Sequence, residues 1–224
     1  MIDKIRKRMK FERMDLFGTA YLGQLLPEAL AHMPYAIVIG VRMSEAVVDQ
    51  ITTGPTHIYF HNYRTANAVL DRCTFLIVSM LMEGGYRGMA VPASQTVDRD
   101  SIRGLVSHKM AAAEAGLGYI GKSALFISSR FGPAVRLATV LTDYPAAEQK
   151  SKRMPADCGG CTICQKACPA GAISGKGYVP GMAREDFFDA ALCSSYMKKA
   201  FQQVGRGAVC GICMAVCPKR KEIF

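Results

Sequence analysis

The chain has 224 residues, of which half are hydrophobic and nine are cysteine, and its formal net charge is +10. Eight of the nine cysteines fall between positions 158 and 217, a clustered set that argues against a secreted disulfide framework and favours metal binding. The sequence has neither an apolar run of about 18 residues nor an N-terminal apolar h-region. We therefore expect a cytoplasmic protein with no membrane span and no secretory signal.

The first half of the chain predicts a layer of strands and helices. Residues 35–41, YAIVIGV, form a short β-branched run that predicts a buried strand, and residues 88–94, GMAVPAS, predict another. Between them, apolar residues spaced three or four apart predict a helix over residues 65–85 that ends at two glycines. Strand, helix and strand in this order favour an α/β layer. Cys73, on the apolar face of this helix, is predicted to lie in the core.

A glycine-rich segment follows a second helix. Residues 104–122, GLVSHKMAAAEAGLGYIGK, predict an alanine-rich helix that gives way to glycines at positions 116, 118 and 121. Two further strands are predicted over residues 123–128 and 134–142, joined by a turn with Gly132.

The chain divides into two predicted domains. Residues 143–157 are polar and contain two prolines, which is typical of a linker. We therefore assign residues 1–145 to an α/β (α+β) cofactor or substrate domain and residues 146–224 to a smaller cysteine-rich domain.

The first cysteine run has the spacing of bacterial ferredoxins. The segment CGGCTICQKACP follows the pattern C-x2-C-x2-C-x3-C-P, in which three thiolates hold one [4Fe–4S] cubane and the fourth ligates a second cubane. The alternative is zinc, but four-ligand zinc sites usually pair two C-x2-C knuckles. The pattern therefore favours clusters, with Cys158, Cys161, Cys164 and Cys168 as ligands.

The eighth thiolate has to come from outside the two runs. The second run, CGICMAVCP, supplies only three cysteines, whereas two cubanes need eight ligands. Cys193 completes the count; its alternative is a buried helical thiol like Cys73. The ferredoxin crossing rule then assigns two [4Fe–4S] clusters. Cluster 1 takes Cys158, Cys161, Cys164 and Cys217, and cluster 2 takes Cys168, Cys193, Cys210 and Cys213.

The positive charge is smaller once the clusters are counted. Each oxidised cubane with four thiolates carries about −2, so two of them lower the total to roughly +6. This remainder suits an acidic redox partner and RNA about equally.

Three stretches of the chain resemble the epoxyqueuosine reductases, corrinoid iron–sulfur enzymes that act last in making queuosine in tRNA. AGLGYIGKSALFI is similar to that family's Ala-Gly-x-Gly-Trp-x-Gly-Lys-x-x-Leu stretch, and CGGCTICQKACPAGAI matches its first cluster motif. LCSSYMK is similar to a stretch whose cysteine is a cluster ligand, which supports Cys193 independently of the count. The resemblance implies a first domain related to nitroreductases and shared with reductive dehalogenases, which holds cobalamin with its base displaced.

The resemblance also implies a cofactor site around the glycine-rich segment. Gly118 and Gly121 would let the backbone approach a large flat ligand, although a helix cap and a tight turn would use the same residues. Lys122 could meet a carboxamide or phosphate. Ser107 and Tyr119 are assigned to the same site, with Tyr119 where the family has Trp.

The proton donor departs from the family pattern. The family carries an Asp-x-x-Pro segment before the glycines, whose Asp is the candidate proton donor, and here the segment reads Ile102-Arg103-Gly104-Leu105. His108 is the candidate acid–base residue instead, since an imidazole titrates near neutrality. Its alternative is a structural histidine.

Two further stretches are candidate parts of a pocket, and both could equally be surface loops. THIYFHNYRTANAVLD carries two histidines, a phenol and a guanidinium before the predicted helix, at His57, His61, Tyr63 and Arg64. VPASQ ends a predicted strand in a polar turn, and ligands favour the carboxyl ends of strands in open α/β sheets.

Three functions compete. The first is an epoxyqueuosine reductase-like iron–sulfur oxidoreductase, in which a ferredoxin or flavodoxin-type donor reduces the clusters and a corrinoid, with flavin second, reduces a small or nucleotide-like substrate. The second is an electron-transfer or activator protein without its own substrate. It would dock an acidic partner through a set of basic residues, Lys198, Lys199, Lys219, Arg220 and Lys221. tRNA modification ranks third, because the family's helical-repeat region, which helps bind tRNA, does not follow the last cysteine run.

We expect anaerobically purified protein to contain about eight iron atoms per chain, since two cubanes contain four each. Elemental analysis measures this directly, and cobalt in the same sample reports on the corrinoid. About four iron atoms per chain would contradict the two-cluster assignment.

Overall fold

The computed structural model describes residues 1–98 and 100–220. The strands in these ranges are β1 (Leu16–Tyr21), β2 (Tyr35–Arg42), β3 (Gly88–Val91), β4 (Gly118–Ile120), β5 (Phe126–Ser128) and β6 (Val135–Thr142). The α-helices are α1 (Ile2–Phe11), α2 (Glu45–Val48), α3 (His57–Glu83), α4 (His108–Glu114), α5 (Ile163–Ala167), α6 (Ala190–Ala200) and α7 (Ile212–Ala215). Short 3₁₀ turns occupy Gly23–Leu25, Glu28–Leu30, Arg184–Asp186, Gly205–Gly207 and Pro218–Arg220.

Four of the strands form one antiparallel sheet in the order β1–β2–β6–β3. Strand β2 is covered on both faces, which explains why its sequence is continuously apolar. Ile37 and Ile39 pack with the buried faces of α1 and α3, whereas Ala36 and Val38 pack with the alanines of α4. The sheet therefore lies between a layer made by α1 and α3 and a layer made by α4.

The order of the strands in the sheet differs from their order in the chain. The predicted strand, helix and strand exist as β2, α3 and β3, but β6 lies between the two strands and runs antiparallel to both. The first part of the chain is thus a mixed α+β fold without the adjacent parallel strands of an open α/β sheet. Its relation to nitroreductases stays a prediction.

Helix α3 is longer than the sequence predicted. It begins at His57, because the Thr56 side chain caps it by accepting a hydrogen bond from the Tyr59 amide at 3.0 Å. Leu70, Cys73 and Ile77 are fully buried on its sheet-facing side, which confirms the core position of Cys73. The polar residues expected in a loop before the helix therefore lie in its first turns.

The same helix is apolar enough to be considered as a membrane span. Its most apolar 18 residues have a mean hydropathy of 1.3, and it is the single helix in residues 1–98 and 100–220 that meets this length and composition. The sequence-based prediction missed it, because that prediction required an uninterrupted apolar run and Asp71 and Arg72 interrupt this one. Of that window 28% is buried, on the face that packs against the sheet.

The glycine-rich segment forms a small hairpin in which β4 pairs with β5. Gly118 has a φ of +156°, and a Cβ on it would lie 2.0 Å from the carbonyl oxygen of Ile127. This glycine is required by the close approach of two backbones, not only by the end of α4 at Gly116.

The cysteine-rich segment shares an apolar core with the first part of the chain. Tyr59 and Met43 pack with Phe201, Val209 and Ile212 in one buried cluster. The linker is also anchored, since the Arg153 guanidinium pairs with the buried Glu114 carboxylate at the end of α4. The division of the chain at residue 145 stays a prediction, and the two segments pack against each other.

We expect Gly118→Ala to lower the free energy of unfolding by about 3 kcal/mol, because the new methyl group would collide with the β5 backbone. Thermal unfolding of the iron-loaded protein measures the loss. Gly177→Ala is the matched control, since Gly177 has open space within 4 Å and should unfold like the parent. An equal midpoint for the two variants would contradict the packing role of Gly118.

Candidate functional site

The structure brings the first four predicted ligands together. Cys158, Cys161 and Cys164 lie in and just before α5, and Cys217 arrives from the residues after α7. Burial and the three neighbouring thiols raise the pKa of Cys217 to about 11. The thiols therefore lie within electrostatic reach of one another, and they come from the two runs in the predicted combination.

The other four cysteines form a second group. Cys193 lies in α6, and burial together with Cys210 and Cys168 raises its pKa to about 11. Burial raises the pKa of Cys213 further, with contributions from the rest of its group and from Cys164 of the first group. The two groups are therefore adjacent, as electron transfer between two clusters requires.

Gly211 determines how the second group meets the first domain. It lies between Cys210 and Cys213 with a φ of +86°, and a Cβ on it would lie 2.8 Å from Ile51 and 3.1 Å from the Tyr59 ring. Only glycine combines this conformation with this contact.

The donor set fits cubanes better than single ions. A tetrahedral zinc ion with Zn–S bonds of about 2.3 Å would hold its sulfurs about 3.8 Å apart. Among residues 1–98 and 100–220, no group of three or more His, Cys, Asp or Glu could hold a single metal ion. Two groups of four thiols match the ligand number of two [4Fe–4S] clusters, and the ligand role of each cysteine stays a prediction.

The predicted cofactor residues around β4 surround the first cysteine group. A Cβ on Gly121 would lie 3.4 Å from Cys158 Sγ. Lys122 Nζ donates hydrogen bonds to the carbonyl oxygens of Gly159 at 2.8 Å and Cys161 at 3.1 Å. Tyr119 is buried beside the same thiols, which with burial raise its pKa to about 12. These three residues thus contact or face the cysteine loop.

His108 lies in the wall of a cavity, but both of its ring nitrogens are engaged. Nε2 is 2.9 Å from the Pro92 carbonyl oxygen, which can only accept, so Nε2 carries the proton. Nδ1 then accepts from the Thr139 hydroxyl at 2.8 Å. Burial lowers the pKa of His108, so the ring is neutral and joins β6 to the loop after β3. This geometry favours the structural alternative over acid–base catalysis.

The cavity next to His108 has a volume of about 830 Å³. Its walls are the loop after β3, the loop before α4, and parts of β5 and β6, so the predicted VPASQ segment does border a cavity. Ser107 lies in this wall, where its hydroxyl caps α4 by accepting from the Met110 amide at 3.3 Å.

A smaller cavity of about 230 Å³ lies against the second cysteine group. It is lined by all four cysteines of that group and by Tyr59 and Tyr63 of α3. The two cavities share one wall, made of Lys109, Leu125, Pro133, Val135 and Arg136.

Two cations in the shared wall were not predicted from the sequence. The ammonium group of Lys109 is buried and donates to the Ala124 carbonyl oxygen at 2.6 Å. Burial, reinforced by Arg184 and Arg136, lowers the pKa of Lys109 to about 8. Arg136 donates to Asn67 at 3.0 Å and lies 4.2 Å from the centre of the Tyr63 ring. One feature of the sequence could have indicated these buried cations, because the lysine and the arginine both lie inside apolar segments.

Of the four polar residues at the start of α3, Tyr63 lines the smaller cavity, and the other three line neither of the two cavities described above. His57, His61 and Arg64 are exposed on the outer side of the helix. Tyr63 instead shares a hydrogen bond with Ser94 at 2.8 Å, and this contact joins α3 to the loop after β3.

The cysteine-rich segment closes the large cavity on its outer side. Arg184 donates to the carbonyl oxygen of Ile102 at 2.9 Å and also to that of Ser101. Glu185 accepts from Arg103 at 2.8 Å through both carboxylate oxygens. Ile102, at the position where the family has its Asp, has a φ of +52°, which is strained for a β-branched residue.

Comparisons with known proteins agree with the cysteine pattern. Residues 157–220 match the sequence profile described as "4Fe-4S double cluster binding domain". The chain carries a double [4Fe–4S] cluster domain. It is 32% identical over 123 residues, half of the chain, to an epoxyqueuosine reductase of Lactococcus garvieae. The predicted resemblance is confirmed.

A second class of relatives covers more of the chain. A tetrachloroethene reductive dehalogenase of Desulfitobacterium hafniense is 32% identical over 222 residues, which is 93% of this chain. The chain spans about a third of the length of the curated relatives it matches, 31% of the reductase and 37% of the dehalogenase. The names of both classes describe reductive enzymes.

Solved structures share the fold at lower identity. A reductive dehalogenase whose structure "suggests a mechanism for B12-dependent dehalogenation" superposes with a TM-score of 0.73 at 19% identity, over 97% of this chain and 32% of its own. An epoxyqueuosine reductase with a tRNA stem loop superposes at 0.59 and 18% identity, over 99% and 67%.

We expect Cys193→Ser to lower the iron content from about eight to about four atoms per chain, because the second cluster would lose one of four ligands while the first keeps all of its own. Iron analysis and electron paramagnetic resonance of the reduced protein measure this. Cys73→Ala, which removes the one thiol outside the two groups, should retain about eight. Full iron content in Cys193→Ser would overturn the assignment.

Proposed function

We propose that this chain is an iron–sulfur oxidoreductase that passes electrons through its two [4Fe–4S] clusters to a corrinoid in the 830 Å³ cavity, for reduction of a small or nucleotide-like substrate. The observation that carries the proposal is the wall of five residues that this cavity shares with the cavity of the second cysteine group. An electron that leaves the second cluster would have to cross only this wall to reach the large cavity.

The exposure of the two cysteine groups supports an inward direction of electron flow. The loop of the first cysteine group reaches the surface at Gly159 and Gly160, which are exposed and where a Cβ would meet no atom within 4 Å. The second group lies deeper, with Gly211 pressed against Tyr59 of the first domain. A ferredoxin or flavodoxin-type donor would therefore dock near the first cluster, and the second would deliver electrons inward.

The large cavity has the size and lining of a cofactor site. Its volume lies within the range of about 300–1,000 Å³ that is typical of small-molecule and cofactor pockets. Apolar residues such as Val106 and Phe126 line it, and Lys109 and Arg136 add positive charge near its floor. When bound, a corrinoid supplies a low-potential cobalt centre, and the relative described as B12-dependent supports it over flavin.

Lys109 is the proposed proton donor. The family's Asp position holds Ile102, and His108 has no free ring nitrogen, whereas the buried Lys109 ammonium uses one of its three N–H groups on Ala124. Each turnover consumes two electrons from the external donor. It consumes one proton if the leaving group departs as an anion such as chloride, and two if it departs as water.

The dehalogenase relatives favour a small substrate. The match of the Desulfitobacterium hafniense dehalogenase covers 93% of the chain and so includes the first domain, where the cavity lies, whereas the epoxyqueuosine reductase match covers half of the chain. tRNA remains a competing substrate, since one solved relative holds a tRNA stem loop. Salt-sensitive binding of an epoxyqueuosine-containing stem loop by this chain would favour that alternative.

The activator hypothesis loses part of its docking surface. Arg220 is 5% exposed and pairs with Asp49 at 2.7 Å, and Lys219 pairs with Asp157 at 2.7 Å. Lys198 and Lys199 are exposed, and Lys221 lies outside the described residues.

Anaerobic titration with cobalamin tests the proposal. We expect one cobalamin per iron-loaded chain, followed by absorbance and cobalt analysis after gel filtration. Protein with eight iron atoms that binds neither cobalamin nor flavin would instead support the activator hypothesis.

We expect Lys109→Met to lower reductive turnover of tetrachloroethene, with reduced viologen as the donor, by about 10²–10⁴-fold through loss of proton delivery. Iron content and cluster reduction by viologen should stay at the parent level. Lys10→Met, the same change at an exposed lysine of α1, should retain full turnover. Parent-like turnover in Lys109→Met would exclude it as the proton donor.

A further inference from the structure

The hydroxyl group of Tyr119 is buried without a partner. The residue is 8% exposed, and its oxygen has no hydrogen-bond partner among the described residues. Buried hydroxyl groups are normally satisfied, so an orphaned one indicates a partner that is not a protein atom.

The surroundings of this hydroxyl identify the partner. Gly121, two residues further on, presents the same side of the chain to Cys158, with 3.4 Å from its absent Cβ to Sγ. The cavity of about 820 Å³ beside the phenol is lined by Cys158 and Gly159 as well.

We propose that the Tyr119 hydroxyl donates a hydrogen bond to a sulfur of the first [4Fe–4S] cluster and thereby raises the reduction potential of that cluster. Tyr119 is a tuning residue in this role and carries no electron itself. The proposal rests on the ligand assignment of the first cluster, and it is independent of the corrinoid and of the substrate.

The sign of the effect follows from the charges. A cubane with four thiolates goes from about −2 to −3 on reduction, so a donor at its sulfur stabilises the reduced form more than the oxidised form. A tyrosine phenol keeps its proton at neutral pH and therefore remains a donor. A first cluster of higher potential would accept electrons from an external donor more readily.

The position of Tyr119 allows a clean substitution. Phenylalanine keeps the ring that fills the space between β4 and the cysteine loop and removes only the oxygen. Tyr178 lines the same cavity, and its ring packs 5.6 Å from that of Phe187, so Tyr178→Phe is a matched control.

The test is a potentiometric titration of the anaerobic iron-loaded protein, followed by electron paramagnetic resonance. The wave of the first cluster is identified as the one that survives in Cys193→Ser. We expect Tyr119→Phe to shift this wave to a more negative potential, with the other wave and both waves of Tyr178→Phe unchanged. Unchanged midpoints in Tyr119→Phe, or a shift confined to the second cluster, would overturn the proposal.

A measurement on protein that keeps Tyr119 covers the case in which Tyr119→Phe does not take up iron. A hydrogen bond to a cluster sulfur makes the Fe–S stretching bands in resonance Raman spectra sensitive to exchange into D₂O. We expect such a shift in the Cys193→Ser protein, which retains only the first cluster. Its absence would contradict the hydrogen bond, whereas an iron-free parent would instead contradict the ligand assignment.

Discussion

The contact of Gly211 with Tyr59 is the constraint on which the arrangement of the molecule depends. It fixes the backbone between two cysteines of the second group against the first turn of α3, with a Cβ excluded by Ile51 and the tyrosine ring. Because α3 covers one face of the sheet, the position of the second group relative to β6 follows. The large cavity and the cysteines then face each other across side chains of α4 and β6, which belong to neither cysteine run.

The two cysteine groups have different surroundings. The first group is enclosed by the hairpin of β4 and β5, where Lys122 holds the cysteine loop by its carbonyl oxygens. The second group adjoins aromatic rings and cations near the sheet. In the proposed function, this asymmetry would let the module receive electrons near the surface and deliver them toward the interior.

The features that could be predicted from the sequence were local ones. Ligand counting grouped the cysteines because cluster stoichiometry and spacing are short-range properties, and β2 and the core face of α3 followed from periodicity. The group that the glycine-rich segment contacts could not be predicted. A glycine indicates that something approaches the backbone closely, but it does not identify the approaching group. Gly118 approaches the backbone of Ile127, and Gly121 approaches a cysteine. Lys109 and Arg136 lie 27 positions apart, and only the fold brings them into one wall.

The outer wall of the large cavity belongs to two segments that are distant in sequence. The loop before α4 is held by Arg184 and Glu185, which lie between the first cysteine run and Cys193. Those two residues belong to the cysteine-rich segment, and metal binding in such segments commonly couples to folding. The rim of the cavity is therefore set by the same segment that carries the cysteines.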